Sequence, residues 1–208
     1  MDCVTMILVE RKSAIPLDLL ILINSFIYEK LTDENFKEAI ALWLKDEGEC
    51  KWRFGHISFW NTSRVTNMMR AFYRRRKFNE DLSRWNVSNV TNMNSMFEAA
   101  VSFNGDLSLW NVSGVEDMNS MFEGATSFNG DLSRWDVSNV KDMSFMFRGA
   151  SEFSGDLSQW NVSKVQNMRL MFFDARNFNG DLSRWDVSQV TDMGAMFFGA
   201  SSYQGVKW

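Results

Sequence analysis

Tryptophan returns at Trp60, Trp85, Trp110, Trp135, Trp160 and Trp185, with a spacing of 25 residues every time. Valine keeps the same phase at Val65, Val90, Val115, Val140, Val165 and Val190, and methionine at Met68, Met93, Met118, Met143, Met168 and Met193. Phenylalanine fills Phe72, Phe97, Phe122, Phe147, Phe172 and Phe197, and a second aromatic column runs Phe78, Phe103, Phe128, Phe153, Phe178, Tyr203. Leucine holds Leu82, Leu107, Leu132, Leu157 and Leu182. Chance does not keep so many columns in register, so residues from about Gly55 onward form a repeat array. The 14 methionines, nine tryptophans and 18 phenylalanines follow from that reuse and call for no cofactor or redox role.

One unit reads FNGDLSRWDVSNVKDMSFMFRGASE, Phe128 to Glu152. Its first half shows L-x-x-W-x-V at Leu132, Trp135 and Val137, the spacing by which leucine-rich repeats build one short strand and its flanks. In the second half Val140, Met143, Met146, Phe147 and Ala150 fall on one face of a short helix, with Ser138 placed to cap its first turn. Gly130, with Gly105, Gly155 and Gly180, marks the turn into the next strand. The expected fold class is an α/β repeat. It is a right-handed leucine-rich-repeat-like solenoid of about six 25-residue coils, each a short parallel strand plus a short helix. No coil can bury its own apolar edge, so the columns are expected to stack into one core, closed by a cap.

The unit F-N-G-D-L-S-x-W-D-V-S-x-V-x-D-M-x-x-M-F resembles the BspA-like leucine-rich-repeat surface proteins, also called mycoplasma lipoprotein-type repeats. That resemblance implies a solenoid used for adhesion or protein–protein contact and implies no catalytic residues. Unlike those surface proteins, the sequence opens without a signal peptide or lipoprotein cysteine box, and with two cysteines it builds no disulfide framework. An intracellular setting is therefore expected, with the surface of a cell or virion as the alternative.

Residues 1–57 lie outside the repeats and are read as a helical N-terminal cap, leaving 58–208 as the solenoid. IPLDLLILINSFIY, Ile15 to Tyr28, is apolar but holds Asp18 and Asn24 and is shorter than the ~20 residues that span a bilayer, so no transmembrane segment is expected. It reads as a buried amphipathic helix with Pro16 in its first turn. A second helix is predicted from an N-cap at Thr32 to about Asp46, with Phe36, Ile40, Trp43 and Leu44 on its apolar face. Ile15, Pro16, Leu19, Leu20, Ile23 and Phe26 also resemble the opening of an F-box, which implies docking to a ubiquitin-ligase adaptor.

A single histidine, His56, and the isolated Cys3 and Cys50 leave nucleophilic catalysis and zinc binding without partners, so neither enzyme activity nor a cofactor is expected. The column Asp81, Asp106, Asp131, Asp156, Asp181 offers one carboxylate per coil, whereas calcium takes roughly six to eight oxygens. Asx-turns onto backbone N–H groups are the expected use of these residues.

Columns that vary from coil to coil are the candidates for recognition. The slot before each tryptophan reads Arg84, Leu109, Arg134, Gln159, Arg184. Its polar members Arg84, Arg134, Gln159 and Arg184 are expected on an outward sheet face that binds a partner. On the outward helical slots Phe145, Leu170, Phe173 and Phe198 are expected to meet as an exposed apolar patch, and such patches mark partner surfaces. Self-association through the C-terminal end is a further expectation. Arg74, Arg75, Arg76 and Lys77 form the one basic run, read as a solvated loop or a contact to an acidic partner. With a net charge of −4 and no wider basic face, nucleic acid is not expected. The function read from the sequence is a non-catalytic protein-interaction module. An F-box-like substrate receptor and a structural or adhesive surface component are its alternatives.

Overall fold

The computed structural model describes residues 28–206. The chain enters through two helices, α1 (Asp33–Lys45) and α2 (Glu47–Phe54). Thr32 starts α1 as predicted: its N–H donates to Asn35 Oδ1 at 2.9 Å, while Asp33 and Glu34 favour the positive end of the helix. Phe36, Ala39, Ile40 and Trp43 are its buried face, the i, i+3, i+4, i+7 stripe of an amphipathic helix. The second helix, α2, is not predicted by the sequence pattern. Asp46 ends α1 and restarts the chain, its Oδ1 accepting from the N–H of Glu49 at 3.0 Å. Gly55, with φ 75°, closes α2, a left-handed position that suits a residue without Cβ. The helix predicted at Ile15 to Tyr28 lies outside the described residues except for Tyr28.

From Ile57 on, the chain winds in 25-residue coils stacked on one another, but these coils do not form the expected fold. Among the described residues there is no β-strand, and past α2 only one 3₁₀ turn, Ile57–Phe59. Successive coils share single isolated parallel bridges, from Asn67↔Asn92 through Asn167↔Asp192. The expectation of a leucine-rich-repeat-like α/β solenoid is therefore overturned, and the coils are built from turns.

The reason lies in the backbone. In the half read as helix, two residues per coil are left-handed: Ser120 (φ 55°) and Gly124 (φ 65°) in one coil, Phe145 (φ 60°) and Gly149 (φ 67°) in the next. A left-handed residue breaks the i→i−4 hydrogen-bond pattern. The N–H groups alternate instead. Those of Met118, Ser120, Phe122 and Gly124 donate to the Asp142, Ser144, Met146 and Arg148 carbonyls of the following coil at 3.0, 2.9, 2.9 and 2.7 Å. Those of Met121, Glu123 and Ala125 close turns onto Met118, Ser120 and Phe122 within the coil. In the half read as strand, Asp131 and Asp136 bend the chain by accepting from the N–H groups of Ser133 (2.9 Å) and Ser138 (3.0 Å). A third such corner has Asp142 accepting from Ser144. Ser138 is thus the donor in an Asx-turn and caps no helix.

Stacking satisfies the apolar columns. Phe97, Phe122, Phe147 and Phe172 follow one another at ring separations of 5.6, 5.7 and 5.6 Å, and the second aromatic column repeats at 6.0 Å. The indoles form one file, with Trp110, Trp135, Trp160 and Trp185 spaced 6.5, 6.5 and 6.4 Å and nearly parallel. The N–H of each of these four indoles donates to a leucine carbonyl one coil earlier, Trp135 to Leu107 and Trp160 to Leu132, both at 3.0 Å. Gly130 is required by contact, since a Cβ there would lie 3.0 Å from the Phe128 ring.

The helices close the near end of this stack. Phe36 meets Trp85 edge-on at 5.7 Å, and Trp43 and Phe54 meet Trp60 at 6.1 and 6.2 Å. Elsewhere the N–H at this position of the coil donates to the preceding coil, as Thr91 does to the Thr66 carbonyl. The first coil has no predecessor, and the Asp33 carboxylate stands in for it. It accepts from Thr66 N–H (2.8 Å), Thr66 Oγ1 (2.6 Å) and Asn67 N–H (3.1 Å).

Candidate functional site

The repeat separates buried from exposed positions sharply, so candidate sites are the exposed columns. Asp81, Asp106, Asp131, Asp156 and Asp181 all lie exposed at one corner, each accepting from the N–H of the serine two residues on at 2.9 Å. This is the Asx-turn role predicted for them. The bond to Ser133 holds the Asp131 carboxyl below the usual range, with a lesser contribution from Arg134. Among the described residues no group of three or more His, Cys, Asp or Glu side chains could hold a metal ion.

Immediately after these turns come Arg84, Leu109, Arg134, Gln159 and Arg184, all exposed. They line a turn corner and no sheet face, because there is no sheet among the described residues. Their outward aim comes from the preceding Asx-turn and the buried tryptophan that follows. The Arg84 guanidinium lies over the Phe59 ring at 5.1 Å. Leu109, left out of the polar recognition set, is 75% exposed.

The apolar residues of the C-terminal coils come together in part. Phe173 and Phe198 stack at 5.2 Å, and Phe198 is 67% exposed. Phe145 and Leu170 are half-buried and occupy the left-handed turn position, φ 60° and 55°, where a helical slot was expected. Arg148 sits over both Phe145 (5.8 Å) and Phe173 (5.5 Å) and is ion-paired with Glu123 at 2.7 Å. That guanidinium links the two rings and narrows the open apolar surface to the region of Phe198.

His56 and Cys50 hold structural positions. His56 Nδ1 accepts from Ser58 N–H at 3.3 Å with Trp43 edge-on at 4.9 Å, and burial lowers its pKa. Cys50 is buried, its Sγ donating to the Ala39 carbonyl, and burial pushes the thiol up to about 11, away from the reactive thiolate. Ile15, Pro16, Leu19, Leu20, Ile23 and Phe26 lie outside the described residues.

Two overlapping stretches, residues 46–143 and 109–208, match the family described as "Mycoplasma protein of unknown function, DUF285". The chain belongs to the DUF285 family. The matched stretches take in α2 and the whole coil stack, while α1 precedes them. No curated protein and no solved structure matches the chain. Among the described residues no helix is long and apolar enough to cross a membrane.

Sequence reasoning missed two features of this DUF285 chain. One is Asp33, which looked like an ordinary first-turn acid of α1, although nothing in the sequence ties it to Thr66. The other is the environment of the basic run. Arg75 stands where the later coils place a buried alanine, Ala100, Ala125, Ala150 and Ala175, and that broken column was a readable signal.

Proposed function

We propose that this DUF285 chain is a non-catalytic protein-interaction module that binds its partner through the columns varying from coil to coil. One observation supports this above others: the repeated apolar columns are buried through most of the stack, whereas the non-repeated Leu109 and Phe198 are 75% and 67% exposed. Large apolar side chains held outward by a rigid frame are typical anchors of a protein interface. The polar slots Arg84, Arg134, Gln159 and Arg184 flank Leu109 along the same column and give the surface its specificity. The test is cross-linking mass spectrometry and size-exclusion chromatography of the Phe173→Ser/Phe198→Ser protein. Partner recovery or self-association is expected to fall at unchanged melting temperature. An unchanged partner set and oligomeric state would sink the proposal.

The resemblance of the repeat to surface proteins favours a second setting, in which the same columns act as an adhesive surface component of a cell or particle. Protease shaving of intact cells separates it from an intracellular module. The finer reading of Ile15 to Phe26 as an F-box-like adaptor site is tested by pulldown of a ubiquitin-ligase adaptor through residues 13–50.

A further inference from the structure

The first coil differs from the others in charge. Arg70, Arg74, Arg75, Arg76 and Lys77 are all exposed, and none of them joins an ion pair among the described residues. In the later coils, by contrast, Lys141 and Arg148 each hold a glutamate, at 2.6 and 2.7 Å. In a chain of net charge −4, five unpaired cations at one corner form a strong local field.

Beside them the packing of α1 on the first coil leaves a concave groove of about 400 Å³. Ile40, Leu44, Met69 and Tyr73 line its apolar wall, and Lys37, Arg70 and Arg75 stand among its lining residues. Arg75 also lines a second hollow of about 460 Å³, shared with Leu44, Arg74, Arg76 and Lys77, in which Glu80 is the carboxylate present. The two hollows therefore meet at Arg75 and Leu44, apolar at the wall and cationic at the rim.

We infer that the groove between α1 and the first coil docks an acidic peptide segment carrying apolar side chains. Charge complementarity sets the sign of the partner, because none of the five guanidinium and ammonium groups is ion-paired among the described residues. Arginine forks bind carboxylates with geometric specificity, and an apolar wall accepts the side chains between them. A nucleic-acid strand would use stacking rings, but the Tyr73 ring already has the Arg70 and Arg74 guanidiniums over it at 5.3 and 4.9 Å. A lipid surface would want its apolar contacts raised, and here they are recessed. This surface is separate from the Phe173–Phe198 patch, so either can fail without the other.

The experiment uses the full chain and fluorescence anisotropy with a fluorescein-labelled synthetic peptide of glutamates alternating with leucine and phenylalanine. Saturable binding that weakens with added salt is expected. Arg75→Glu and Leu44→Ser should each lower affinity about tenfold, Arg75→Lys should largely restore it, and Arg134→Glu should leave it unchanged. Replacing the glutamates of the probe by lysine, or its apolar residues by serine, should also weaken binding about tenfold. Should Leu44→Ser lower the melting temperature, the exposed Arg75→Glu variant decides alone. Absence of binding, equal affinity for the lysine peptide, or unchanged affinity in Arg75→Glu would overturn the inference. So would tighter binding of single-stranded RNA or phosphatidylserine vesicles than of the acidic peptide.

Discussion

Asp117 and Asp33 are carboxylates with opposite effects on stability. Asp117 sits half-buried in a column read Asn67, Asn92, Asp117, Asp142, Asn167, Asp192, and its pKa is raised, chiefly by burial, with the charge of Asp142 adding to it. A raised folded pKa means that the charge costs stability once the pH climbs through it. Asp117→Asn keeps the oxygen that accepts from Asn119 N–H at 2.9 Å and removes the charge. It should stabilise the protein at neutral pH by about 0.5 kcal/mol in urea titration, with the gain vanishing at acid pH where Asp117 is protonated anyway. Gly124 offers a purely conformational counterpart. A Cβ there would meet nothing nearer than 3.7 Å, yet its φ is 65°. Gly124→Ala should therefore cost about 1 kcal/mol without any clash, read as a lower urea midpoint at unchanged slope.

At the scale of the coil, the sequence announced which residues are buried but not the path the backbone takes between them. Val140, Met143, Met146, Phe147 and Ala150 are all buried, as helical spacing predicted. Consecutive turns give nearly the same periodicity, so burial alone did not distinguish them from a helix. Phe145 was the obstacle, since a phenylalanine with positive φ is a choice that local propensity argues against. The stacking of the following coil overrides that preference. The Asx-turns were legible for the Asp131 column because D-L-S is a turn signature, while D-V-S and D-M-S, read as strand and helix, were the same signature missed. The indole ladder can be tested directly. The Leu107 carbonyl accepts from both Trp110 N–H within its coil and Trp135 Nε1 of the next, each at 3.0 Å. Trp135→Phe removes the second bond and part of the ring, and should lower stability by about 2 kcal/mol in chemical denaturation.

Over the whole molecule, coils that touch only their neighbours make stability a matter of interfaces and ends. Asp33 seals the near end. Burial opposes its ionisation, but the bonds from Thr66 and Asn67 outweigh it and hold the carboxyl below its usual range. A lowered folded pKa contributes stability above the ordinary aspartate value, about 3.9, that is lost as the pH falls through the folded one. Asp33→Ala should thus cost about 1–2 kcal/mol at neutral pH and much less in acid. Amide hydrogen exchange should show the loss first at Thr66 and Asn67. The helix from Thr32 and its apolar face could be foreseen but not the Asp33 seal, because its bond spans 33 residues between segments with no shared pattern.

The alternation of hydrogen bonds gives the stack a direction. From Met168, Leu170 and Asp174 the amides reach forward to Asp192, Gly194 and Phe198. In the last described coil the matching amides of Met193, Ala195 and Gly199 have no acceptor among the described residues. Two other positions run the opposite way: Thr191 and Ser202 donate back to the Gln166 and Arg176 carbonyls, so in the last coil the corresponding acceptors are the Thr191 and Ser201 carbonyls. A segment laid on this rim therefore has to offer carbonyls to one stretch and amides to another, the pattern that a further coil running in the same sense would supply.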